Sequence, residues 1–126
     1  MANGRAAAYG AAAFVVAHWI IRWQWSVLGG AHVQEPSWFL NAPLGVMVVV
    51  FAENVAGTIA ALEAGPRARW TRAAWVTAGG IVAMLAAMPF VVAGTIAPLA
   101  AFVGALVIGA GAYSGGFFAS LFGSHD

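Results

Sequence analysis

Two adjacent polar side chains, Glu53 and Asn54, interrupt the apolar run "VVVFAENVAGTIAA". One is a carboxyl group that can hold a proton or a cation. The other is an amide with two N–H donors and an acceptor oxygen. A second polar set, His18, Arg22 and Ser26, recurs every fourth residue in "AHWIIRWQWS" and so shares one face of a helix. Imidazole and carboxyl groups are the side chains that pass protons near neutral pH. An imidazole also ligates a haem iron or a pigment metal, or donates to a quinone oxygen, and the neighbouring tryptophans would pack on such a ring. The expected polar cluster is therefore His18, Arg22, Glu53 and Asn54. Glu53 is expected to meet His18 or Arg22, and Gly57, one turn on, lets a neighbour come close.

Several readings of that cluster are open. The plainest is a Glu–His or Glu–Arg pair that satisfies itself and fixes helix register. Proton or ion handling through Glu53 and His18, a cofactor (haem, pigment or quinone) held by His18, and a polar contact with a partner protein are the others. For Arg22 the plain reading is a long stem reaching for the headgroups between Trp23 and Trp25.

Composition excludes much else. The 126 residues are 63% hydrophobic and 7% charged, with five basic and four acidic side chains and a net charge of +1. Soluble domains carry about 25% charged residues, so nine charges cannot cover a water-facing surface. Every cation is Arg, and no basic run with aromatic interleaving of the kind that tracks a phosphate backbone occurs, so nucleic acid is not an expected partner. Cysteine is absent, which removes disulfides, thiolate nucleophiles and thiolate metal sites. His32 and Glu35 in "AHVQEP" supply two ligands where zinc uses three or four, so no metal site is expected. No nucleophile elbow, metalloprotease motif or phosphate-binding glycine loop occurs. No catalytic residues are assigned, and activity of the chain's own is not expected.

The elements that position the cluster follow from hydropathy. A helix crossing a hydrocarbon core needs about 20 apolar residues, and four such runs occur, at about 6–28, 40–62, 73–92 and 97–118. The fold class read from this is an all-α integral membrane protein, a four-helix transmembrane bundle with short loops, in one domain over 1–126. The first run is read as a retained span, not a signal peptide, because Arg22 and three tryptophans fall inside it. Arg5 and the arginines of "GPRARWTR" (Arg67, Arg69, Arg72) lie on one side of an even number of spans. The positive-inside rule makes that side cytoplasmic, with both termini there and a prokaryotic plasma membrane as the setting. Trp23, Trp25 and Trp38 mark the outer boundary, and Trp70 and Trp75 the inner one.

Proline and glycine mark the ends. Pro36 and Pro43 flank "SWFLNA", read as a short interfacial helix. Gly65–Pro66 stops the second span, Pro98 opens the fourth, and Pro89 is expected to kink the third. The fourth span, "VGALVIGAGAYSGG", carries Gly104, Gly109, Gly111, Gly115 and Gly116, a packing face for close helix approach.

Two functions compete. One is a small accessory subunit of a larger membrane-embedded complex of respiratory, photosynthetic or membrane-oxidase type, packed through the small-residue faces. The other is a homo-oligomeric proton- or ion-coupled transporter or channel using Glu53 and His18. The expected partners are the lipid bilayer and either other membrane subunits or copies of the chain itself.

Overall fold

The computed structural model describes residues 2–27, 39–41, 43–91 and 97–122, and they are almost wholly helical. Four long helices follow one another: α1 (Ala2–Val27), α2 (Pro43–Ala64), α3 (Arg69–Val91) and α4 (Ala97–Phe122), with a single 3₁₀ turn, Phe39–Asn41, ahead of α2. Each is long and apolar enough to cross a membrane. At the arginine end the helices outrun the apolar spans: α1 begins at Ala2, α3 at Arg69, and α4 runs on to Phe122. Helical main-chain bonds continue through polar residues as well as apolar ones, so hydropathy marks the apolar part only.

The α2–α3 connection is built as its sequence dictates. Gly65 adopts φ +81° and donates its N–H to the Ala61 carbonyl at 3.0 Å, a left-handed helix stop that glycine enters without steric cost. Pro66 then bars continuation, and α3 starts with the Arg72 N–H bonded to the Ala68 carbonyl at 2.9 Å. Pro89 falls in the last turn of α3 (Arg69–Val91) and deprives the Leu85 carbonyl, within the last two turns, of its main-chain partner.

Around the bundle the order is α1–α2–α4–α3. The most extensive contacts join α2 to α4 and α1 to α3, α2 also meets α3 across the centre, and α1 and α4 scarcely touch. Arg5 against Glu63 and Phe14 against Phe39 show that α1 and α2 run in opposite directions. Trp70 against Tyr113 and Met84 against Gly104 show the same for α3 and α4.

The interior has two unlike halves. Away from the arginines it is filled by bulky side chains, Phe14, Ile21, Phe39, Met84, Met88 and Ile108 among them. Toward the arginines it is lined by Ala6, Ala56, Ala60, Val76 and Ala112, so the backbones there draw together. Of the stretch "SWFLNA", read as a short interfacial helix, 39–41 are described and form the 3₁₀ turn while the rest lies outside the described residues; the Phe39 ring is buried (1% exposed) and stands edge-on to Phe14 at 5.6 Å. Gly45 makes room, since a Cβ there would lie 2.6 Å from the Phe39 carbonyl oxygen.

Candidate functional site: a buried acid between glycines

Glu53 lies midway along α2, where the bulky half of the interior gives way to the small-residue half. It is 0% exposed, and among the described residues neither carboxyl oxygen has a hydrogen-bond partner. The expected contact with His18 or Arg22 is therefore not made. The physical reason is the order of the helices. α1 packs on α3, with Gly10 against the Val76 backbone and Gly79 against the Ala7 backbone. The Glu53 side chain turns the other way, toward α3 and α4. A Cβ on Gly80 would lie 2.7 Å from Glu53 Oε2 and 2.7 Å from Ile108 Cγ2, and one on Gly111 would lie 2.8 Å from Glu53 Cβ. Two glycines and an isoleucine thus form the walls of the carboxyl pocket.

The other members of the expected cluster separate. His18 is half-buried one turn from Phe14, its ring stacked at 6.3 Å and 14°. Arg22 is exposed on the second half of α1, and the side chain of Ser26 lies outside the described residues, as do His32 and Glu35. Among the described residues no three of His, Cys, Asp and Glu gather as a metal would need.

Asn54, beside Glu53 in sequence, faces another way and joins α2 to α4. Its Nδ2 donates to Ser114 Oγ at 2.9 Å. Ser114 in turn donates to the Gly111 carbonyl at 2.7 Å, and the Thr58 hydroxyl donates to the Asn54 main-chain oxygen at 2.8 Å. This polar seam is open to the outside of the bundle: Asn54 and Thr58 are partly exposed and Ser114 is exposed.

The glycines of α4 are resolved one by one. Gly104 meets the Met84 sulfur and Gly115 the Asn54 carbonyl, while Gly116 lies under the Trp70 ring, to which a Cβ would come within 3.0 Å. Gly57 receives the Ala112 carbonyl of α4 in the same way. Gly109 is looser, with only Thr77 Cγ2 at 3.7 Å from its Cβ position. Another helix's backbone comes close at Gly111 and Gly115, whereas Gly104 and Gly116 receive side chains.

Two features escaped sequence reasoning. Gly10 and the pair Gly79–Gly80 carry the α1–α3 contact and one wall of the Glu53 pocket; the double glycine in mid-span "TAGGIVA" was the available signal. At the arginine end, Arg5 Nε bonds Glu63 Oε1 at 3.2 Å and the Tyr9 hydroxyl donates to Glu63 Oε2 at 2.7 Å. An even span count puts Arg5 and Glu63 on the same side, which would have suggested the pair. Both partners are exposed, so water and salt screen the pair and it adds little to stability.

Comparison of the chain with protein-family models, with curated proteins and with solved structures finds no match. The functional reading rests on the geometry alone.

Proposed function

We propose that the chain is an integral membrane protein that takes up and releases a proton or small cation at Glu53, as part of a homo-oligomeric transporter or channel. The arginine end and both termini face the cytoplasm. The observation that carries this reading is the enclosed, partnerless carboxyl group midway along the bundle. A register-fixing acid needs a partner, and among the described residues Glu53 has no hydrogen-bond partner. An acid that contacts a neighbouring subunit must reach the surface, and Glu53 does not.

The mechanism follows from charge. The neutral acid fits an apolar pocket. Loss of its proton leaves an unpaired charge there, at an effective cost of several kcal/mol. That cost falls if α3 withdraws at Gly80 and admits water or a cation. Proton occupancy and helix position are thereby linked through one contact, and a bilayer-depth acid is the usual sign of such a pathway. His18, the other mid-span titratable group, stands on α1, away from which the Glu53 side chain turns.

The test is voltage-driven proton uptake into proteoliposomes, read by an interior pH dye. Glu53→Gln keeps the shape and removes the exchangeable proton. Uptake is expected to fall by about a hundredfold, the scale of losing one proton-transfer group. Equal uptake by the variant and the parent chain would remove the proposal.

The second reading, an accessory subunit of a respiratory, photosynthetic or membrane-oxidase complex, is favoured by the apolar side chains that face outward on all four helices. It is separated by purification in mild detergent from the native membrane. Other chains recovered in fixed ratio support it, and a single species supports the transporter.

A further inference from the structure

The Asn54 seam carries a consequence independent of Glu53. One Asn54 N–H is taken by Ser114 at 2.9 Å. The Oδ1 has only the Thr58 hydroxyl, at 3.5 Å, and that hydroxyl's one hydrogen is directed to the Asn54 main-chain oxygen at 2.8 Å. Among the described residues, one N–H donor and one carbonyl acceptor of the amide therefore remain unused. They sit halfway along a bundle whose adjoining outward residues are apolar: Met47, Phe51 and Leu106 are 63%, 70% and 59% exposed. In hydrocarbon no water reaches that depth, and an amide left unpaired there is unfavourable.

We propose that the α2–α4 face is the interface with a second copy of this chain, and that Asn54 pairs with Asn54 of that copy across a two-fold axis. The chemistry selects the partner. An isologous interface brings each residue to its own counterpart. A carboxamide offers one donor and one acceptor, so two of them in opposed orientation close both bonds. The exposed apolar side chains flanking the seam supply the packing that drives helix association in lipid. The inference rests on the membrane placement proposed above and is independent of proton exchange.

The chain has no cysteine, so single thiols report cleanly. Ala110→Cys puts a thiol on the seam side of α4, and Ala86→Cys puts one on the exposed face of α3. Membranes holding each variant are first stripped with carbonate, which confirms insertion separately from association, and then oxidised with copper–phenanthroline. Ala110→Cys is expected to give a species of twice the chain mass, and Ala86→Cys to remain single. Adding Asn54→Ala to Ala110→Cys should lower the doubled species about three- to tenfold, the range of one interhelical hydrogen bond in lipid. Adding Asn54→Gln, which keeps the amide, should restore part of it and guards against a folding defect. Three results would each overturn the proposal: no excess of crosslink at Ala110 over Ala86, a crosslink to a chain of different mass, or a doubled species indifferent to Asn54→Ala.

Discussion

A carboxyl group walled in by glycine and isoleucine makes the native packing less favourable than an apolar side chain of the same size would. A buried polar group left unsatisfied costs about 1–3 kcal/mol, and Glu53 has two such oxygens. Glu53→Met is therefore expected to raise stability by about 1–3 kcal/mol, read by thermal unfolding in detergent, while removing proton uptake. This opposition of stability and activity is the usual mark of a working residue. A loss of stability instead would mean that the acid finds a partner in the assembled protein. The wall is as specific as the acid. Gly80→Ala would put a methyl 2.7 Å from both Glu53 Oε2 and Ile108 Cγ2, an overpacking worth about 1–3 kcal/mol of destabilisation. Because Gly80 is the α3 contact of the carboxyl group, the same substitution should slow proton uptake.

Helix pairs are set by where small residues let backbones meet. Gly79 lies against the Ala7 backbone and Gly115 against the Asn54 backbone, contacts that a Cβ would force apart along a whole helix. Gly109 has open space beyond 3.7 Å. Gly79→Ala and Gly115→Ala are thus expected to lower the unfolding temperature sharply. Gly109→Ala should leave it unchanged or raise it, since alanine favours a helix over glycine by about 1 kcal/mol. Equal effects at Gly109 and Gly115 would show that the small residues act through the bilayer or another chain, and not through these contacts. At this scale the chain was partly legible. Four apolar runs, Gly65–Pro66 and the α4 glycines stand in the sequence as helices, a stop and a packing face. The partner of each face does not, because helical periodicity says which side of a helix is buried and not against what. So the small residues of α4 were readable, but their match to Gly57 and Asn54 was not. Glu53 was identified as the unusual group, whereas its assigned neighbour His18 lies on a helix that packs mainly on α3.

Across the whole molecule, the outward faces are as apolar as the interior. Trp19, Phe51, Val82 and Phe102, one from each helix, are 66%, 70%, 66% and 64% exposed, a distribution that suits acyl chains and not water. Among the described residues, the Glu and Arg side chains other than Glu53 lie toward the helix ends. Arg5, Glu63, Arg67 and Arg72 lie where α1 and α3 begin and α2 finishes, and Arg22 lies toward the opposite end on α1. Cations counted near span ends fix orientation during insertion, and the arginine end outweighs Arg22. Thiol labelling of a chain without native cysteine tests this directly. With a membrane-impermeant maleimide on intact cells, Pro98→Cys at the start of α4 should label, and Thr71→Cys at the start of α3 should label only after lysis. The reverse pattern would invert the direction of any proton path through Glu53. Labelling of both on intact cells would show that the bundle is not held across the membrane in a single orientation. A two-fold pair sharing the Asn54 seam would then have to join copies of opposite sense, and its axis would lie in the membrane plane and not along the normal.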